Sequence, residues 1–131
     1  MGMSAIAQWL AGEGKNVSGS DRYFKLGEYN ETKEKLEAEG IQCFLQNGDG
    51  ITNETDLVVV STAIEDTVFE VQKAKQLNIP ILKRSEVLAI IAKSKKTIAV
   101  CGTHGKTTTT AMVYEMLKEN GVDASMIVGS L

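Results

Sequence analysis

Runs of β-branched and aliphatic residues alternate with amphipathic, charge-rich stretches along the whole chain. The clearest run is Asp56-Leu57-Val58-Val59-Val60-Ser61, an unbroken apolar segment that suits a parallel strand covered on both faces. Shorter runs at 16–20, 41–45, 79–82, 97–101 and 125–128 predict further strands, and Pro80 places the 79–82 strand at an edge or at its own start. Helical periodicity lies between them. The pattern predicts a helix over 3–12, stopped by Gly12 and Gly14. A polar helix over 30–39 follows, with Asn30 as N-cap, Glu31/Lys35 and Lys35/Glu39 as i,i+4 pairs and Gly40 as its stop. Thr67-Val68-Phe69-Glu70 reads as a capping box opening a helix to about residue 77, and Ser85 reads as the cap of a helix over 86–93. A last helix runs to about Asn120 and ends at Gly121.

Strands alternating with helices imply βαβ units and the α/β class: a Rossmann-like, mostly parallel sheet with flanking helices. The lysine cluster Lys93, Lys95 and Lys96 precedes the 97–101 strand and is the natural boundary. It divides the chain into a Rossmann-like unit over 1–94 and, over 95–131, the start of a second α/β unit. Both ends look cut. A dinucleotide-type fold sets a strand and a glycine-rich turn before its first helix, whereas the helical pattern here begins at the first residues, so the first strand is expected to be missing.

Composition narrows the class. A net charge of -3 offers no general attraction to nucleic acid or anionic lipid. The first ten residues lack a basic n-region and no stretch reaches transmembrane length, which predicts a cytoplasmic protein with no membrane or nucleic-acid partner. Position 6 is Ile6, so Met1-Gly2 does not complete a myristoylation signal. Cys43 and Cys101 lie far apart in strand-like runs and are expected to be buried free thiols.

The chemistry concentrates in Val100-Cys101-Gly102-Thr103-His104-Gly105-Lys106-Thr107-Thr108-Thr109-Thr110. A strand, a glycine turn and Lys-Thr at a helix start form a grip for a nucleoside triphosphate. Glycines let backbone N–H groups approach the phosphates, Lys106 reaches the terminal ones, and the Thr107 hydroxyl can ligate Mg²⁺. The general pattern G-x-x-x-x-G-K-[ST] fails at its first glycine, where Val100 stands, leaving a tighter loop. Four consecutive threonines are unfavourable in a helix beside alanine, so their hydroxyls are the reason for them. His104, the only histidine, lies within the loop and supplies no metal cluster; shaping the backbone or facing the phosphate suits it better than acting as a base. An ordinary strand-to-helix turn is the bland alternative.

The segment Gly102–Met112 resembles the ATP loop of the Mur ligases, the ATP-dependent amide-bond enzymes of peptidoglycan precursor synthesis. Ser18-Gly19-Ser20-Asp21, Val60-Ser61-Thr62-Ala63-Ile64 and Arg84-Ser85-Glu86-Val87-Leu88 match further family segments in the same order, and Met1-Gly2-Met3-Ser4-Ala5-Ile6-Ala7 resembles the stretch after the family's Gly-Ile-Gly-Gly turn. Within the family the loop is most similar to that of the member joining L-alanine to UDP-N-acetylmuramate, then to the murein tripeptide recycling member.

The resemblance implies ATP and Mg²⁺ as cofactors, held by Gly102, Thr103, His104, Gly105, Lys106, Thr107 and Thr108. Lys106 and Thr107 would be the catalytic pair, and Thr107 the metal ligand. It implies UDP-sugar contacts at Gly2, Met3, Ser4, Asp21, Ser61, Thr62, Ala63 and Ile64, and no obligate protein partner. Arg84 stays open between touching substrate and anchoring the next helix; Asp21 stays open as a turn residue, and Ser61-Thr62 as a strand end. Gln46-Asn47-Gly48-Asp49 departs from the family's Gly-His pair. The resemblance implies that the family's later metal ligands and closing domain are missing from these 131 residues, so ligation by them alone is not expected. A stand-alone nucleotide- or UDP-sugar-binding module without chemistry, or a small phosphate-loop kinase, are the competing readings.

Overall fold

The computed structural model describes residues 2–61 and 65–128. Its elements are α1 (Gly2–Gly12), β1 (Ser18–Asp21), α2 (Glu31–Ala38), β2 (Gln42–Leu45), β3 (Val58–Val60), α3 (Phe69–Gln76), β4 (Ile81–Lys83), α4 (Arg84–Ser94) and α5 (Lys106–Glu119). The strands form two parallel pairs. β1 lies on β2, from Ser18↔Gln42 to Asp21↔Leu45, and β3 lies on β4, from Val58↔Ile81 to Val60↔Lys83. Parallel strands require crossovers, and α2 and α3 supply them.

Helix α1 holds the two pairs together. Ile6, Trp9 and Leu10 form one stripe at i, i+3 and i+4, packed on Val87 and Ile91 of α4 and on Val59 and Leu82. Ala7 and Ala11 form the neighbouring stripe, packed on Phe24, Leu36 and Ile41, with Val17 and Cys43 alongside. β3 alternates as a buried strand must. Val59 faces α1, while Val58 and Val60 face a third cluster of Ile51, Ala74 and Ile79.

Local capping follows the sequence in one helix and departs from it in two. Asn30 Oδ1 accepts from Lys33 N at 3.0 Å, and Lys35 pairs with Glu31 at 2.7 Å. Glu39, expected to pair with Lys35, accepts instead from Gln8 of α1. The Thr67 capping box does not form: Val68 is the N-cap of α3, with no side-chain cap bond, because the Glu70 carboxylate turns to Gly48 N at 3.1 Å. Helix α4 starts at Arg84 rather than Glu86. Glu86 Oε2 reaches back to Lys83 N at 2.7 Å, so Glu86 rather than Ser85 closes that end.

Two predicted strands are absent. Residues 97–101 and 122–128 are irregular, although Ile127 packs on the Ile6–Val87–Ile91 cluster. A strand exists by pairing, and residues 97–101 pair with no described strand. The same absence corrects the cysteine expectation. Cys43, inside β2, is half-buried, whereas Cys101 is exposed.

Candidate functional site

The candidate residues fall in two groups along the chain. The first is the loop leading into α5. Gly105, the N-cap of α5, has φ 76° and ψ 8°, a left-handed conformation that residues with a Cβ adopt at a cost. That turn sets Lys106 as the first helical residue, directly after two loop glycines. Lys106 Nζ donates to Gly102 O at 2.8 Å and to Thr103 O at 3.4 Å, folding the ammonium back over the loop. These acceptors are neutral carbonyls on an exposed surface, which a phosphate oxygen can displace. Thr110 Oγ1 donates to Lys106 O at 2.7 Å, which explains one of the four threonines by a helix back-bond. His104, Thr107 and Thr108 are exposed. Thr107 and Thr108 also border a shallow apolar groove along α5 that continues past Ala111, Met112 and Met116.

The second group falls at the ends of β1 and β3 and at the start of α1. Asp21 closes β1, and its Oδ1 accepts from Tyr23 N at 2.9 Å, the bond of a turn residue, while the side chain remains exposed. Ser61 follows β3 and is exposed, one residue past the Val60↔Lys83 pair. Gly2, Met3 and Ser4 form the first turn of α1. Gly2 is buried against Arg84, the first residue after β4, so the α1 N-terminus and the end of the β3–β4 pair share one edge. Open parallel α/β sheets bind ligands at the carboxyl ends of their strands. Thr62, Ala63 and Ile64 lie outside the described residues.

Arg84 and Glu70 gain weight only in three dimensions. Arg84 carries its guanidinium onto α1, a contact that no sequence spacing announces. Glu70 is a buried acid whose Oε1 accepts from Gly48 N while its Oε2 has no partner. Lys73 Nζ donates to Gly48 O at 2.9 Å, so α3 clamps the loop after β2 at the corner where the Gly-His pair is missing. Among the described residues no group of three or more His, Cys, Asp or Glu side chains could hold a metal ion. No helix among the described residues is long and apolar enough to cross a membrane.

Comparison with known proteins agrees with the α/β architecture. A family model described as "Mur ligase family, catalytic domain" matches residues 1–96. The UDP-N-acetylmuramate--L-alanine ligase of Carboxydothermus hydrogenoformans is 45% identical over 130 residues, which is 98% of this chain and 27% of that protein. The enzyme of the same name from Syntrophomonas wolfei is 43% identical over 129 residues, with the same coverage. The crystal structure of UDP-N-acetylmuramate-alanine ligase from Thermotoga maritima superposes with a TM-score of 0.77 at 34% identity, covering 92% of this chain and 27% of that one. The chain thus spans about a quarter of the length of these relatives. With the family model covering most of its residues, the chain belongs to the Mur ligase family.

Proposed function

We propose that these residues serve an ATP-dependent ligase that joins L-alanine to UDP-N-acetylmuramate in peptidoglycan precursor synthesis, acting in the cytoplasm. The observation that carries the reading is the loop at α5. A left-handed Gly105 places Lys106 and Thr107 at the positive end of a fourteen-residue helix, with the loop glycines before them. The relatives named above favour the alanine-adding activity over tripeptide recycling.

In this reading residues 95–131 open the ATP-binding unit, and residues 1–94 form the UDP-sugar unit. Backbone N–H groups from Gly102 to Thr108 cradle the phosphates. Lys106 would leave the Gly102 and Thr103 carbonyls to neutralise the β- and γ-phosphates, and the Thr107 hydroxyl would hold Mg²⁺, which supplies further neutralisation of the phosphate charge. The muramoyl carboxylate takes the γ-phosphoryl group of ATP, releasing ADP, and the amine of L-alanine then displaces phosphate from the acyl phosphate to form the amide. The protein's part is positioning and charge neutralisation. Gly2, Met3, Ser4, Asp21 and Ser61, with Thr62, Ala63 and Ile64, line the nucleotide-sugar side.

Titrating the chain with Mg·ATP in a calorimeter tests the loop. Lys106→Ala removes charge-assisted hydrogen bonds of about 1.5–3 kcal/mol, so binding should weaken by about 10- to 100-fold. Unchanged affinity would remove the loop from the ATP site. The 131 residues alone are expected to give no alanine-dependent release of phosphate from ATP in the presence of UDP-N-acetylmuramate; robust turnover would show that the amino-acid site lies within them.

A further inference from the structure

Helix α3 holds both backbone groups of a single loop residue. Gly48 N donates to Glu70 Oε1 at 3.1 Å, and Lys73 Nζ donates to Gly48 O at 2.9 Å. Glu70 and Lys73 stand three residues apart on α3, on neighbouring turns, so they bracket Gly48. Gly48 is buried and has φ 87°, a left-handed conformation that favours glycine. The loop around it is held together by its own side chains. Asn47 Nδ2 donates to Asp49 Oδ2 at 2.7 Å, and Asn47 Oδ1 accepts from Asp49 N at 3.1 Å.

An acid is a costly way to make this hold. Glu70 is 7% exposed and is the only charged side chain buried among the described residues. It belongs to none of their ion pairs, and its Oε2 has no partner. One N–H bond does not offset the burial of a carboxylate, so stability does not explain an acid at this position. What the bond does is join two stretches of chain. α3 already holds the turn before it, through Gln72 Nε2 to Asp66 O at 2.8 Å and the Lys75–Asp66 ion pair. That turn follows β3 and Ser61 along the chain. The loop after β2 starts beside Asp21, because Asp21 and Leu45 pair at the ends of their strands. Through Glu70 and Lys73, α3 therefore sets the loop beside Asp21 against the turn that follows Ser61.

We infer that Glu70 is a positioning residue of the nucleotide-sugar site: by gripping Gly48 it fixes the loop beside Asp21 relative to the chain that leaves β3. This rests on the reading of Asp21 and Ser61 as nucleotide-sugar contacts. The two residues follow different parallel pairs, and no described strand pairing joins those pairs. A ligand that touches both residues needs their spacing fixed before it binds, because misplacement of a contact by about 1 Å is enough to lose much of its worth. The Glu70–Gly48 bond supplies that fixing. It also gives Gln46-Asn47-Gly48-Asp49, which departs from the family pattern, a role as the gripped loop.

The test follows backbone amide exchange by mass spectrometry and titrates the same samples with UDP. Glu70→Ala should speed exchange in the peptide spanning 46–50, leave 65–68 as slow as before, and weaken UDP binding by about 10-fold. Glu70→Gln keeps an acceptor for Gly48 N and should recover the protection and most of the affinity. Lys73→Met opens the other half of the grip at a half-buried position. It should move both readouts the same way by a smaller amount, and it carries the test if Glu70→Ala does not fold. A residue that served only to stabilise the fold would lower the urea midpoint and leave the UDP affinity of the folded chain unchanged. That result overturns the role of Glu70 while the nucleotide-sugar reading stands. If the unaltered chain takes up no UDP, that reading fails first and the inference falls with it.

Discussion

Helices α4 and α5 carry similar sequence material to opposite ends. Each has aliphatic residues on one face and basic residues near its close, and each follows a stretch of strand-like residues. Yet α4 buries Val87 and Ile91 against Ile6 of α1, whereas α5 buries nothing and leaves Met112 and Met116 each 63% exposed. The difference lies in what precedes each helix. The strand before α4 pairs with β3 and so fixes α4 over a sheet, while residues 97–101 before α5 pair with nothing described. An amphipathic face becomes a core only where a paired strand holds it against something.

The sharpest way to break this contrast is to truncate one apolar side chain in each helix. Ile91→Ala removes a buried side chain from the cluster under α1 and should cost about 2–5 kcal/mol in urea unfolding. Met112→Ala on α5 should change stability by less than about 0.5 kcal/mol, the range of surface substitutions. Comparable losses would mean that the α5 face is packed in solution and that the two helices belong to one cooperative core.

What the sequence made legible follows the same line. Local signals that depend on their own neighbours read through correctly: the Asn30 cap, the Glu31–Lys35 pair and the β-branched Val58–Val60 run. Signals that need a distant partner did not. Thr67 and Glu70 have the spacing of a capping box, but Gly48 claims Glu70 from 22 residues away. Residues 97–101 have strand composition without a strand to pair with. At the candidate site, the glycine-lysine-threonine loop is visible as letters because each of its parts is adjacent in the chain. The Gly2–Arg84 contact spans 82 positions, and the packing of α1 on α4 brings its ends together. Asp21 reads in the sequence as a candidate ligand contact; the structure adds that its carboxylate already caps the turn to Tyr23.

The smaller effect sharpens the same contrast through the two thiols, one on each side of it. Cys43 lies in β2 beside Phe24, Leu36 and Ile41, and burial raises its pKa above the ordinary thiol value. The nearby Glu37 charge pushes the same way and Lys33 opposes it. Cys101 is exposed in the irregular stretch before Gly102. Because the thiolate is the reacting species, a disulfide reagent at neutral pH should modify one thiol per chain quickly, at Cys101, and Cys43 slowly. Mass spectrometry of the labelled peptides identifies which reacted. The raised pKa also carries a sign. The folded chain holds the Cys43 proton more tightly than the unfolded chain, so this contribution to stability is full below the ordinary thiol pKa and declines as pH rises through the folded value. Cys43→Ser should therefore flatten the alkaline limb of the stability profile, and Cys101→Ser should leave it as it was. Equal labelling rates at the two sites would place β2 among the loosely held parts of the molecule, and the division between a packed body and an open α5 would then have to be drawn further toward the N-terminus.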